Sequence, residues 1–469
     1  LYKKAIMNLQ AENINYATEE ATLAEIDKKH VIHPWSDLGS DAKSMIIESG
    51  KGIHVFDNEG NKFIDSISGM WCVNLGYGNK EMADAIAEQC VRLVYYTPFG
   101  AMASPPSIEL AHKLSQLTPG DLNHFQFTTS GSTAVESAIR FVHYYFNCLD
   151  QPEKKHIIYR ENAYHGSTYL SASLNGKKCD RSYFNYITDI VHSIPDPNPY
   201  KRDAGMSVED FCDLRVRELE EKILEIGPEK AACFIAEPIM GSGGVIVPPP
   251  GYHKKTLDIC KKYDVLYISD EVVTAFGRLG HYFASEEVFD IVPDIITVAK
   301  GISSGYQPLG AAIISEKLMG RISGASAKQN SYYTNGFTYS GHPVACAAAL
   351  KYLEIMERDN INENVLEVGP YFMQRLAELK AFPIVGDVRG LCLMACVECV
   401  VSDDEDENIA VAQRVDEFCQ EKGLIVRPYE NLCILSPPLI IDKSGIDRIV
   451  DILRDSIIAT MDERNKETK

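Results

Sequence analysis

Short apolar runs alternating with helical stretches organise the middle of the chain. Residues 15–29 open it with a polar segment at helical spacing, and His54-Val-Phe-Asp-Asn-Glu-Gly60 predicts a hairpin-like turn between two short strands. From about residue 76 to 350 helical stretches alternate with short strands, the pattern of a mostly parallel α/β sheet. Several of these strands end on informative residues. Phe125-Gln-Phe127 runs into Thr128-Thr-Ser-Gly-Ser132, His156-Ile-Ile-Tyr159 precedes Tyr164-His165-Gly166, and Ala232-Cys-Phe-Ile-Ala236 stops at Glu237-Pro238. Val265-Leu-Tyr-Ile-Ser-Asp270 and Ile295-Ile-Thr-Val-Ala-Lys300 are apolar on both faces, as strands covered by helices must be, and each closes on one charged group. From about residue 345 a helix is followed by strand patterns at 390–401 and 424–427, which predict a separate α+β domain. The expected division is an N-terminal segment, residues 7–75, packing with that small domain, a large domain at 76–345 and the small domain at 346–469. The acidic run Asp403-Asp-Glu-Asp-Glu407 is expected as a solvated loop.

Bulk properties narrow the class. A formal net charge of −20 argues against nucleic acid or an anionic membrane as the main partner. No apolar run reaches bilayer length, and no signal peptide is visible. The 13 cysteines are odd in number and scattered, which suits reduced thiols and a cytoplasmic setting. Leu1-Tyr-Lys-Lys-Ala5-Ile6 before Met7 reads as a vector remnant and is set aside.

The strand-end charges carry the sharpest chemistry. Groups at the carboxyl ends of parallel strands project into the crevice where α/β sheets bind ligands. A lysine and an acid placed there are what pyridoxal phosphate needs: an amine for the Schiff base and a partner for the pyridinium nitrogen. Lys300 could equally be a surface strand end, and Asp270 a buried helix cap. Ser130-Gly131-Ser132, between a strand and a helix, offers N–H groups to an anion, although the same residues make an ordinary cap. Tyr164 offers a flat face for a ring, where a core tyrosine is the bland alternative. No Gly-Lys-Ser/Thr makes this a Walker loop, and Gly241-Ser-Gly-Gly244 has the wrong spacing for a dinucleotide fingerprint. Cys396 and Cys399 lie in a run, 391–401, that reads as one strand, so they point to opposite faces, and no second pair completes a zinc site.

Together these residues resemble the class III pyridoxal-phosphate-dependent aminotransferases, from about residue 17 to the end, and most closely their amine–pyruvate (omega-transaminase) branch. The resemblance is carried by Ser68-Gly-Met-Trp-Cys-Val-Asn-Leu-Gly-Tyr-Gly78, Thr129-Ser-Gly-Ser132, Ala163-Tyr-His-Gly-Ser-Thr168 and Glu237-Pro238. Asp270-Glu-Val-Val-Thr-Ala-Phe-Gly-Arg278, Ala299-Lys-Gly-Ile-Ser-Ser-Gly305 and Gly336-Phe-Thr-Tyr-Ser-Gly-His-Pro343 extend it.

The resemblance implies fold type I, with a seven-stranded, mostly parallel sheet and a small α+β domain built from both chain ends. It implies Lys300 as the Schiff-base lysine, Asp270 as the pyridinium partner, and Tyr164 and Val272 on the two ring faces. Gly131 and Ser132 match the phosphate cup, and Glu237 belongs to the cofactor-binding set. Phe337 and Thr338 match a segment that reaches the phosphate of the neighbouring subunit, which implies a homodimer or a dimer-based tetramer. Trp71 and Trp35 match substrate-pocket positions, Trp35 standing where relatives often carry phenylalanine. Val273 replaces the glutamine of ornithine- and GABA-type relatives, and Arg427 matches the mobile arginine that grips a carboxylate. The expected reaction moves an amino group from a primary amine or omega-amino acid to pyruvate by a ping-pong route. The alternatives are an aminomutase, a decarboxylating transaminase, or 2-oxoglutarate as acceptor.

Overall fold

In a computed structural model that describes residues 22–40, 44–177, 179–329 and 331–467, the apolar runs join in a seven-stranded sheet. In chain order its strands are β1 (Leu122–Thr128), β2 (His156–Arg160), β3 (Val191–Ile194), β4 (Ala231–Ala236), β5 (Leu266–Asp270), β6 (Ile295–Val298) and β7 (Gly310–Ser315). Across the sheet they run β1-β7-β6-β5-β4-β2-β3. β7 is antiparallel to both neighbours, and the remaining pairs are parallel. Alternation along each strand explains the unbroken apolar runs. Cys233, Ile235 and Ile268 face a core shared with Val135, Ile139, Val142 and Phe146 of helix α1 (Gly131–Cys148). Phe234 and Tyr267 face the opposite layer, with Leu219, Ile223 and Leu257. Both faces are therefore dry, and the parallel strands deliver their carboxyl ends to one edge.

Helix α2 (Pro343–Arg358) follows, with proline at its start, where the missing N–H costs nothing. A second sheet holds β8 (Val385–Leu391), β9 (Met394–Cys399), β10 (Arg427–Tyr429) and β11 (Leu432–Leu435), in the order β8-β9-β11-β10 and antiparallel throughout. Helices α3 (Glu405–Glu421) and α4 (Lys443–Glu467) pack together beside it through Val411, Val415, Ile449 and Leu453. After β9 the acidic run is largely exposed, as expected, but only partly a loop: Asp403 and Asp404 precede α3, and residues 405–407 are helical. Asp404 is the N-cap and accepts from the Asp406 N–H, and Glu405, Asp406 and Glu407 form the first turn. Acidic side chains there face the positive end of the helix dipole, which stabilises the helical alternative.

The run 391–401 is likewise not one strand. It turns back at Cys392, whose φ is +51°, and Met394–Cys399 returns alongside β8. Residues 424–427 also divide: Leu424 and Ile425 pair in parallel with Ile64 and Asp65, and β10 begins at Arg427.

The described residues fall into two compact units, one formed by those up to Gly50 with 55–62, the other by 51–54 and those from Phe63 onward. In the first, the expected polar helix is seen at Leu23–His30, started by a Thr22–Glu25 capping box, while residues 15–21 lie outside the described set. The Asp57–Asn61 turn is closed within that unit by two hydrogen bonds from Asp57 and Asn61 backbone N–H groups. Among the described residues no helix is long and apolar enough to cross a membrane.

Candidate active site

Asp270 is the last residue of β5 and is nearly inaccessible. Its Oδ2 lies 2.6 Å from His165 Nδ1, and its Oδ1 accepts from the Thr297 hydroxyl at 3.0 Å and the Val272 N–H at 3.2 Å. Thr297 reaches it because it pairs with Asp270 across the parallel ladder between β5 and β6. β6 ends at Val298, and two residues later Lys300 opens a 3-10 turn with φ +42°, a left-handed conformation that costs a lysine strain. Gly301 follows because a Cβ there would lie 2.6 Å from Asn74 Nδ2. Burial depresses the Lys300 pKa. The Asp270 and Glu237 carboxylates oppose that shift, and Arg427 adds to it.

The loop after β2 supplies the next wall. Tyr164 N–H donates to Glu237 Oε1 at 3.2 Å, and Gly241 N–H donates to Glu237 Oε2 at 2.8 Å. Burial raises the Glu237 pKa, and its carboxylate pins two loops by their backbones. His165 N–H donates to Asn175 Oδ1 at 2.7 Å, which fixes the imidazole against Asp270. Tyr164 Oη lies 3.0 Å from Ser167 Oγ, and the Ser167 N–H donates to Ser132 Oγ at 3.0 Å.

Ser132 sits in the first turn of α1. Ser130 is used as its cap, in a reciprocal box with Thr133, so the bland reading of that serine is realised. Gly131 is a close-approach position: a Cβ would meet Val272 Cγ1 at 2.8 Å. The helix N-terminus, Val272 and the Asp270 strand end therefore share one corner.

The other expected residues are more dispersed. Arg427, at the start of β10, has its pKa lowered by burial and lies within the field of Tyr429 and Tyr164; its guanidinium contacts Met70 Sδ. Trp71, with φ +64°, is packed among Ile239, Val245, Leu432 and Ile434. Phe337 and Thr338 lie in the turn before α2, where Tyr95 Oη donates to the Thr338 carbonyl at 2.6 Å. Among the described residues no hydrogen bond joins them to Lys300, Asp270 or Ser132. Trp35 belongs to the N-terminal unit, half exposed at φ +59°.

Residues 36–457 match the family model described as aminotransferase class-III. The chain belongs to the class III aminotransferases. It is 39% identical over 455 residues to the putrescine–pyruvate aminotransferase of Pseudomonas aeruginosa, covering 96% of this chain and 97% of that one. It is also 39% identical over 436 residues to the mitochondrial gamma-aminobutyrate transaminase 1 of Oryza sativa subsp. indica, covering 92% and 84%. The omega transaminase of Pseudomonas jessenii, solved in complex with PMP, superposes with a TM-score of 0.91 at 36% identity, covering 94% of this chain and 99% of that one. The fold is thus fold type I, and this family uses pyridoxal phosphate.

The geometry fits that cofactor. Lys300 is an amine with a depressed pKa, Asp270 is an oriented carboxylate, and Gly131 leaves open the space a side chain would fill. Reading the sequence alone assigned no role to His165, Thr297, Asn175 or Met70. His165 carried a signal, since it stands between Tyr164 and Gly166 in a motif already singled out. Thr297, Asn175 and Met70 meet the candidate residues only through the folded chain, since the Thr297–Asp270 and Met70–Arg427 partners lie 27 and 357 residues apart.

Proposed function

We propose that this aminotransferase is a pyridoxal-phosphate-dependent omega-aminotransferase. It takes the amino group of a primary amine or omega-amino acid and passes it to pyruvate, giving an aldehyde or ketone and then alanine. One observation carries the reading: Lys300, whose pKa burial depresses, opens the turn after β6, and the neighbouring strand β5 ends on the Asp270 carboxylate that His165 and Thr297 orient. The bound cofactor supplies an electron-withdrawing ring that acidifies the carbon bearing the amino group.

Lys300 would hold the cofactor covalently and, once the substrate amine has taken its place and freed it, would move the proton, because a lysine with a lowered pKa can accept one at neutral pH and return it. Asp270, oriented by His165 and Thr297, would hold the ring nitrogen. Gly131 and Ser132 would hold the phosphate, and Tyr164 and Val272 would flank the ring. Arg427 pairs with the keto acid's carboxylate through two parallel hydrogen bonds. Trp71 limits the donor's bulk. Phe337 and Thr338 complete the site of a second copy, so the working unit is a dimer or a pair of dimers.

The test is a panel of donors, with pyruvate and 2-oxoglutarate each supplied as acceptor and alanine and glutamate quantified. Alanine formed in step with donor loss is expected, with none in Lys300→Ala. Turnover persisting in that variant would overturn the role of Lys300. Glutamate in place of alanine would overturn the choice of acceptor, and released CO₂ or an isomerised product would replace transamination.

A further inference from the structure

Arg427 is carried by an element that its own backbone holds weakly. β10 has three residues, lies at the edge of its sheet, and has Pro428, which lacks an N–H, at its centre. Two residues beyond Arg427, on the same face, Tyr429 is gripped from outside the sheet. Its hydroxyl donates to Asp180 Oδ1 at 2.5 Å, and Lys177 Nζ lies 3.5 Å from its ring centroid. Lys177 is itself buried, and its ammonium also pairs with Glu430 Oε2 at 3.2 Å. A buried ammonium costs desolvation free energy, which an aromatic face and a carboxylate together offset.

The other end of this grip leads back to the crevice. Lys177 and Asp180 follow Asn175, whose side chain holds the His165 N–H and the Gly166 carbonyl. Arg181 Nη1 donates to the Asn175 carbonyl at 2.8 Å, and Tyr186 Oη donates to the Asp180 carbonyl at 2.9 Å. The segment that grips Tyr429 is thus anchored to the loop that orients His165 against Asp270.

We propose that Tyr429, Asp180 and Lys177 form a specificity-determining clamp. It fixes the strand bearing Arg427 relative to the catalytic loop, and so sets the preference for carboxylate-bearing substrates over amines without a carboxylate. The proposal rests on the reading of Arg427 as the carboxylate's partner. A bidentate grip tolerates little displacement, so a loosened strand weakens carboxylate binding while amine chemistry at Lys300 is less affected.

The experiment compares Tyr429→Phe, Asp180→Asn and Lys177→Met with the wild-type holoenzyme, and with Arg427→Lys as reference. Three quantities are measured: KM for pyruvate, the ratio of kcat/KM for β-alanine to that for n-butylamine, and calorimetric affinity for propionate, a carboxylate that cannot react. Each clamp variant is expected to raise the pyruvate KM about tenfold, the worth of one charge-assisted hydrogen bond, and to lower the ratio and the propionate affinity in proportion. Wild-type values in the clamp variants beside a changed Arg427→Lys would overturn the clamp and leave the arginine reading intact. Wild-type values in Arg427→Lys would overturn both. Equal losses for β-alanine and n-butylamine would show a merely structural role and also overturn the proposal. Tyr429→Phe keeps the ring under Lys177, so it separates the hydroxyl's contribution from loss of the fold.

Discussion

Three donors converge on Asp270: the His165 imidazole, the Thr297 hydroxyl and the Val272 N–H. The His165 and Asp270 side chains are both buried, so removing one strands the other in a low dielectric. His165→Leu leaves a buried carboxylate oxygen without its donor and is expected to destabilise the fold by about 1–3 kcal/mol, measured by denaturant melts, while His165→Gln, which keeps a donor, costs less. The glycine corner makes a separate prediction. Gly131→Ala forces its new methyl against Val272, a stiff side chain, at a cost of about 1–3 kcal/mol. Cofactor retention, followed by visible absorbance, should fall at least tenfold, and adding Val272→Ala should restore part of it. Lys300 and Asp270 were legible in the sequence because each closes an apolar run. The importance of His165 was not, since its partner lies 105 residues away and a lone histidine looks the same in a core.

Helix α3 carries a buried carboxylate with a consequence for pH. Asp416 Oδ2 accepts from Gln420 Nε2 at 2.7 Å, Oδ1 has no hydrogen-bond partner among the described residues, and burial pushes its pKa from 3.8 up to about 7. The folded state therefore keeps a proton that the unfolded chain releases, and this group's contribution to stability falls as pH rises from about 4 to 7. Asp416→Asn should melt higher than the parent at pH 8, by an amount on the order of a few kcal/mol, with the advantage shrinking toward pH 4. Thermal melts across that range test it. At this scale hydropathy showed where strands lie but carried no direction, so the antiparallel placing of β7 could not be read from it. The hairpin between β8 and β9 stayed hidden because its turn residues, Cys392 and Leu393, are apolar and resemble strand. The acidic start of α3 was mistaken for loop because charge marks exposure, and a helix N-terminus welcomes acid as readily as solvent does.

At the scale of the molecule, the role proposed for Phe337 and Thr338 is to finish the site of a second copy. Mixing Lys300→Ala with a Thr338→Ala partner chain should then yield hybrid dimers with one intact site and one doubly defective one. If random exchange makes half the dimers hybrid, up to about a quarter of wild-type activity returns. Mixed samples no more active than Thr338→Ala alone would speak against a shared site. The sheet order has a further consequence, which concerns synthesis rather than catalysis. β1 lies at the sheet edge with β7 as its neighbour, and Thr128 pairs with Gly310. At about 5–20 residues per second, the ribosome takes roughly 10–40 s between making the two. Throughout that interval β1 has no strand to pair with, and Phe127 has yet to be buried. The nascent chain should therefore engage holding chaperones between these points, and ribosome profiling of chaperone-bound chains would show binding that ends soon after β7 emerges.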